Sequence, residues 1–158
     1  MKIAFVSLGC AKNLVNTEQM MALVKAAGHT VTGDPEGADV AVLNTCGFID
    51  VAKSEAIQNI LELAALKEQG KLGKLLVAGC LSQRYRDEIL EELPEIDGIL
   101  GTGSYTDVVP AIESMMEGDV PTYFGDIDHT IEDGPRMVTT PPYTAFLKIA
   151  EGCDNRCA

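Results

Sequence analysis

Five cysteines carry most of the chemistry that this sequence of 158 residues offers. Cys10, Cys46 and Cys80 are 36 and 34 residues apart, so no local ligand motif joins them. Each follows a short apolar run typical of a buried strand and precedes a segment with helical spacing. Because the carboxyl ends of parallel strands meet at one edge of a sheet, we expect the three thiols to converge there.

Three convergent thiols suit a metal or cluster site. Thiolates bind metal, and helix N-termini beside them favour the thiolate form. Three thiolates on one iron–sulfur cube would leave its fourth iron open to another ligand. The alternative is that the three cysteines are small buried apolar side chains. Their repeated position after a strand favours the metal or cluster site.

Cys153 and Cys157 form a different motif, with the spacing C-x3-C. It follows the apolar run of residues 143–149 and Gly152. Alone, this spacing is a weak signal, and its value depends on what would follow Ala158.

Strands and helices alternate around the cysteines. Apolar runs predict strands at residues 2–8, 29–31, 38–43, 74–78 and 98–100. Helices are predicted between them, the first capped by Asn16 and stopped by Gly28. The second carries Ile57, Ile60, Leu61 and Ala64 on its buried face and ends near Gly70, and two more cover residues 82–93 and 105–117. This order predicts an α/β fold, a parallel sheet with helices on both faces, similar to flavodoxin or Rossmann domains.

The character of the chain changes after Gly118. Residues 119–140 are rich in Pro, Gly, Asp and Thr and have little periodicity, which predicts a linker. Residues 143–149 then predict one more strand, which has nothing to pair with. We therefore expect a first domain over residues 1–118, a linker over 119–142 and the truncated start of a second domain over 143–158.

Charge is distributed unevenly. The net charge is −12, yet residues 87–133 contain 14 acidic residues and no Lys or Arg. Such a balance argues against DNA or an anionic membrane as partner, because phosphates would be repelled. The acidic segment is either a set of solvated faces or a docking surface for a basic protein. Cysteines without a secretory signal, and no apolar run of roughly 18 residues, predict a cytoplasmic protein without a membrane span.

Three segments around the cysteines resemble the motifs of the radical S-adenosylmethionine methylthiotransferases. They are residues 7–15 (SLGCAKNLV), 44–49 (NTCGFI) and 78–81 (AGCL). Residues 147–157 are similar to the entry of that family's radical domain, whose cluster motif is C-x3-C-x2-C. The sequence LGCAKN at residues 8–13 resembles the motif of the branch that modifies a ribosomal protein. The tRNA-modifying branch typically has YGCQMN at this position. The resemblance covers the whole chain.

The resemblance implies a site and a reaction. Cys10, Cys46 and Cys80 would hold an auxiliary 4Fe–4S cluster. Cys153 and Cys157 would be two of the three protein ligands of a radical 4Fe–4S cluster. The reaction would be methylthiolation of an aspartate β-carbon in ribosomal protein twelve of the small subunit, with S-adenosylmethionine as a further substrate. A basic ribosomal protein and a reductant such as a flavodoxin would be the partners. The third radical-cluster cysteine would lie past residue 158, so the chain by itself is expected to be inactive.

Two other functions remain open at this point. One is a tRNA-modifying methylthiotransferase, and the other is a flavodoxin-like module that binds flavin or a partner without a cluster. The latter shares the expected fold, but the sequence lacks a Ser/Thr-Gly phosphate loop after the first strand.

A few other residues have weaker signals. His29 and His129 are interpreted as surface or turn residues, and neither is expected to be a ligand. Residues 101–104 (GTGS) could cradle a phosphate, although a plain strand-to-helix turn is favoured. Lys12 and Asn13 are expected at the cluster mouth, either to tune the cluster or contact substrate, or as ordinary capping residues.

Overall fold

The computed structural model describes residues 1–127 and 134–150, apart from the side chain of Asp87. The described strands are Lys2–Ser7 (β1), Thr30–Thr32 (β2), Ala38–Thr45 (β3), Leu72–Gly79 (β4), Gly98–Leu100 (β5) and Thr122–Tyr123 (β6). The described α-helices are Ala11–Ala26 (α1), Asp50–Glu68 (α2), Cys80–Arg84 (α3), Arg86–Glu92 (α4) and Val108–Glu117 (α5), with a 3-10 turn at Tyr105–Asp107. The strands form one parallel sheet in the order β2-β1-β3-β4-β5-β6.

Helices cover both faces of this sheet. Successive residues of β3 alternate between the two apolar layers, since Val40 and Val42 pack with α1 and α5 whereas Ala41 and Leu43 pack with α2, α3 and α4. All four side chains are fully buried. A central parallel strand is covered on both faces and therefore consists of a nearly continuous apolar run. The predicted α/β fold is confirmed.

The strand order reverses beside β1. This strand pairs with β2 on one side and with β3 on the other, so that Ile3 lies opposite both Val31 and Val40. Open parallel sheets bind ligands in the crevice at the carboxyl ends of the strands on either side of such a reversal. Here the crevice begins directly after Ser7 and Thr45.

The first helix begins earlier than the sequence pattern predicts. Helix α1 starts at Ala11, with Cys10 at its N-cap position, so the assignment of Asn16 as N-cap is wrong. Asn16 lies inside the helix and is buried. Its polarity suggested a helix end, but its amide oxygen instead accepts a hydrogen bond from Lys148. The predicted stop is confirmed, since the helix ends at Ala26 and Gly28 has a φ of +87°.

Two other helices also differ from their predictions. The helix expected over residues 82–93 starts at Cys80 and is divided at Tyr85, where φ is −121° and ψ is 38°. The hydroxyl of Ser82 is buried and donates to the carbonyl oxygens of Gly79 and Leu100, which ties this helical turn to the sheet. In α2, Leu61 is predicted to lie on the buried face but is 45% exposed. Leu63 is buried there instead.

The chain after α5 departs furthest from the prediction. Gly118 ends α5 in the left-handed region, as expected, but β6 lies inside the segment assigned to the linker and pairs with β5. Residues 143–149 are not a strand, because they form a ladder with none of the described strands and contact α1 instead. Cys153, Cys157 and His129 lie outside the described residues. No helix in the described part of the chain has both the length and the apolar character needed to span a bilayer.

Candidate functional site

The loops after β1, β3 and β4 carry Cys10, Cys46 and Cys80. These strands are neighbours, and the register places Ser7 opposite Asn44 and Thr45 opposite Gly79. The three strands therefore end at the same level, and the structure brings the three cysteines to one edge of the sheet. Cys10 and Cys46 flank the crevice where the strand order reverses.

Glycines set how closely these loops approach. Gly9 has a φ of +86°, and a Cβ added there would lie 2.5 Å from the Cβ and 3.1 Å from the Sγ of Cys46. A Cβ added at Gly47 would lie 2.9 Å from the Cα of Leu81, the residue after Cys80. Each cysteine loop thus packs directly against the next, and the backbone fixes the spacing of the thiols.

Asn13 joins the three loops. Its Nδ2 donates to the carbonyl oxygen of Leu8 at 3.2 Å and to that of Thr45 at 2.9 Å. Its Oδ1 lies 3.9 Å from the Sγ of Cys80, at the distance of a weak thiol hydrogen bond. The side chain is 2% exposed. Asn13, which the sequence placed at the cluster mouth, is therefore a buried connector rather than a surface contact.

A second group of polar side chains, from Asn44, Thr17 and Ser7, supports Asn13. The Nδ2 of Asn44 donates to the carbonyl oxygen of Asn13 and to the Oγ1 of Thr17, both at 2.9 Å. The Oγ1 of Thr17 in turn lies 3.0 Å from the Oγ of Ser7. Sequence reasoning missed Asn44 and Thr17, although a polar pair ending a buried strand is a signal that could have found Asn44. Satisfied polar networks of this kind rigidify the interior in which they lie.

The electrostatics of the edge differ from the expectation. Burial raises the pKa of the Cys80 thiol above its ordinary value, and the neighbouring Cys46 and Cys10 raise it further. Lys12 and a hydrogen bond from the backbone of Gly47 lower it, but by less. Burial therefore favours the neutral thiol form of Cys80 in the metal-free chain. These contributions also place the thiols of Cys46 and Cys10 within electrostatic range of Cys80.

The rim beside Cys46 is open and partly apolar. A cavity of about 330 Å³ is lined by residues 47–50 together with Lys53, Arg84 and Tyr85. Arg84 donates to the carbonyl oxygen of Gly47 at 3.2 Å, and Lys53 lies over the ring of Tyr85. Phe48 is 82% exposed. The surface directly after Cys46 is therefore open to solvent.

The thiols at the edge are free, with Cys10 exposed and the other two partly buried. Across residues 1–127 and 134–150, no three His, Cys, Asp or Glu side chains form a group that could hold a single metal ion. The edge thus presents three separate free thiols.

The turn at residues 101–104 serves packing. Thr102 donates its backbone N–H to the Oε1 of Gln83 at 3.1 Å, and the Oγ of Ser104 accepts the N–H of Gly125 at 2.6 Å. These bonds hold α3 and the segment after β6 against the turn, which agrees with the interpretation as a plain turn.

Most of the parallel fold lies in a segment that matches a known family. Residues 2–101 match the family described as "Uncharacterized protein family UPF0004", and the chain belongs to that family. The matched range contains Cys10, Cys46 and Cys80.

Individual relatives have a more specific name. The chain is 49% identical to the protein of Desulforamulus reducens named "Ribosomal protein uS12 methylthiotransferase RimO", and 48% identical to the proteins of that name from Pelotomaculum thermopropionicum and Clostridioides difficile. Each match covers 99% of this chain and 36% of the relative, so the chain spans about a third of the relatives' length. The resemblance found in the cysteine motifs is confirmed.

Proposed function

We propose that this chain is the N-terminal, cluster-binding part of an enzyme that methylthiolates the β-carbon of an aspartate in ribosomal protein uS12. The observation that carries the proposal is the convergence of Cys10, Cys46 and Cys80 at the carboxyl edge of the sheet. Nearly half of the residues are identical in proteins named for this activity, which supports the same reaction here. The relatives' name favours this substrate over tRNA.

The three cysteines fit an auxiliary 4Fe–4S cluster. Thiolates that bind three different irons of one cluster need not be as close as ligands that share one ion. When bound, the cluster would supply an iron open to a sulfur-bearing ligand. The role of this chain is to hold the thiols, through Asn13 and the close loop contacts at Gly9 and Gly47.

Cys153 and Cys157 would hold a second 4Fe–4S cluster, together with a third cysteine. Its chemistry when bound would be the reductive cleavage of S-adenosylmethionine, which requires a reductant protein such as a flavodoxin. This assignment is supported by the C-x3-C spacing and by the resemblance of residues 147–157 to the family motif. The reaction would take place in the cytoplasm, where a basic ribosomal protein is available as substrate.

Iron binding tests the proposal. The chain is reconstituted anaerobically, and iron and acid-labile sulfide are measured per chain for single Cys10→Ala, Cys46→Ala and Cys80→Ala variants. We expect each variant to lose most of the cluster, because one thiol of three is missing. The double variant Cys153→Ala/Cys157→Ala is the matched control, and it should keep the cluster at the edge. Equal iron in all variants would show that the site assignment is wrong.

A flavin site is the second candidate, since this strand order and its crevice between β1 and β3 also occur in flavodoxin-like domains. The same preparation distinguishes the two. Flavin absorbance without iron would favour a flavodoxin-like module and overturn the cluster proposal. For the full-length enzyme, mass spectrometry after incubation with uS12 or with tRNA separates the two methylthiotransferase substrates.

A further inference from the structure

Residues 134–150, called the strap here, are bound to α1 through a buried carboxylate. Glu18 lies inside α1 and is 2% exposed. Its Oε1 accepts the backbone N–H of Thr139 at 2.6 Å and the hydroxyl of Thr139 at 2.8 Å. Its Oε2 pairs with the Nε of Arg136 at 3.3 Å. In addition, Met137 donates its N–H to the backbone carbonyl oxygen of Glu18 at 3.0 Å.

Arg136 also connects the two ends of the strap. While its Nε faces Glu18, its Nη1 donates to the carbonyl oxygen of Phe146 at 2.6 Å. Two residues further on, Lys148 donates to the Oδ1 of Asn16 at 3.0 Å and to the hydroxyl of Tyr105 at 3.2 Å. The strap is thus held to α1 at two places, and Arg136 couples them.

The far end of the strap reaches the cysteine edge. Residues 146–150 line an open cavity of about 240 Å³ together with Ala11, Lys12 and Val15. Ala11 and Lys12 directly follow Cys10, and Ala150 precedes Cys153 by three residues in the sequence. The strap therefore leads the chain from the middle of α1 back to the edge where Cys10 lies.

A buried carboxylate imposes a specific geometry on this connection. A buried charge is costly unless it is paired and hydrogen-bonded, and removing one partner leaves an uncompensated charge. Every described partner of the Glu18 carboxylate belongs to the strap. A strap shifted by one residue would move Arg136 out of its place beside that carboxylate, so the ion pair favours a single register.

We propose that Glu18 and Arg136 form a latch that fixes the strap to α1, and that Glu18 is a positioning residue. Its consequence rests on the proposed function: the latch holds residues 146–150, the end of the strap, in a fixed relation to the auxiliary cluster site. The latch itself is a property of the metal-free chain and does not depend on any cluster.

Amide hydrogen exchange on the metal-free chain tests the latch. The variants are Glu18→Gln, Glu18→Ala and Arg136→Met, with the exposed Glu113→Gln on α5 as matched control. We expect exchange at the N–H of Met137 and Thr139 to accelerate about tenfold or more in the three latch variants and to stay unchanged in the control. Met137 is the decisive amide, since its acceptor is the backbone carbonyl of Glu18, which no substitution removes. Its acceleration would report release of the whole strap.

Two results would overturn the latch. One is unchanged exchange at Met137, which would show that the strap stays in place without the carboxylate. The other is equal acceleration at Met137 and at core amides such as that of Val42, which would make Glu18 a general stability residue. Arg136→Lys, which keeps the charge but cannot make both contacts, should give an intermediate rate. Iron content after reconstitution should stay at the parent value, so failure of the latch and failure of the cluster assignment are distinguishable.

Discussion

The side-chain amide of Asn13 donates a hydrogen bond of 2.9 Å to the carbonyl oxygen of Thr45, which couples the first turn of α1 to the residue directly before Cys46. The same nitrogen bonds the carbonyl oxygen of Leu8, two residues before Cys10. One buried amide therefore sets the distance between two cysteine loops that are more than thirty residues apart in sequence.

Replacing Asn13 should loosen the edge. In Asn13→Ala, two carbonyl oxygens lose their donor, which we expect to lower the free energy of unfolding by about 1–3 kcal/mol. The iron bound after reconstitution should fall as well, because the loops are no longer held together. Urea denaturation and iron analysis measure the two effects. Asn59→Ala is the control, since within the described residues the amide of Asn59 bonds the carbonyl of Glu55 in its own helix. An equal loss of iron there would refute the specific role of Asn13.

The contact of Gly47 with Leu81 gives a second test. A methyl group at position 47 would lie 2.9 Å from the Cα of Leu81. Because this neighbour is a backbone atom, the loop at Leu81 would have to shift, at a cost in stability. Gly47→Ala should therefore destabilise the domain by about 1–3 kcal/mol and displace Cys46 relative to Cys80. Gly33→Ala is the matched control, because no heavy atom lies within 4 Å of the added Cβ. It should be neutral or stabilising by up to about 1 kcal/mol in urea denaturation. Equal stability of the two variants would contradict the close packing of the loops.

Asp97 gives the folded domain a dependence on acid pH. Burial raises the pKa of this carboxyl, but hydrogen bonds from Lys67, the N–H of Leu75 and Lys74 outweigh it, so that the pKa lies below its ordinary value. A carboxyl whose pKa is lower in the folded than in the unfolded state stabilises the fold at pH values above the ordinary carboxyl pKa. This stabilisation is lost as the pH falls through the pKa of the folded state. Asp97→Asn should therefore be less stable than the parent at neutral pH, with the difference vanishing in acid.

Free energies of unfolding from pH 7 down to about pH 2, across the titration range of carboxyl groups, measure this difference. Lys67→Met should remove much of the same pH dependence, because Lys67 makes the largest contribution that lowers the pKa. A difference between Asp97→Asn and the parent that persists unchanged in acid would contradict the assignment.

The acidic segment divides into two surfaces. Ile89 of α4 packs with one apolar layer, whereas Ile112 of α5 packs with the other, so these helices lie on opposite faces of the sheet. Their exposed acids cannot all face one partner. Two variants test whether the segment attracts a basic ribosomal protein. One reverses Glu88, Glu91 and Glu92 on α4 to Lys, and the other reverses Glu113 and Glu117 on α5 to Lys. We expect only one of the two variants to bind the protein more weakly at low salt.

Binding of purified uS12 to the chain at low and at high salt provides the measurement. Equal capture by both reversed sets and by the parent would leave the segment as an ordinary solvated surface. A loss restricted to one helix would identify the face that the partner approaches.

Much of the fold could be predicted from local patterns. The apolar runs of β1, β3 and β4 are strand signals because both faces of a central strand are buried, and Gly118 ends α5 because its left-handed φ of +100° suits glycine. The convergence of Cys10, Cys46 and Cys80 follows from the same patterns, since it needs only three parallel strands and a cysteine after each.

Other features depend on contacts between distant parts of the chain. The polar residues of α1 resemble the cap residues of a helix end in the sequence. In the structure Asn13 and Glu18 are buried, because the loop before Cys46 and the strap supply their hydrogen-bond partners. The apolar run of residues 143–149 has the composition of a strand, but a strand also requires a partner edge, and this segment contacts α1 instead. The sequence by itself determined the fold class and the positions of the cysteines, because strand and helix signals are local. Only the tertiary structure decided the spacing of the thiols, the raised pKa of Cys80 and the docking of the strap, because each arises from groups that meet only when the chain has folded.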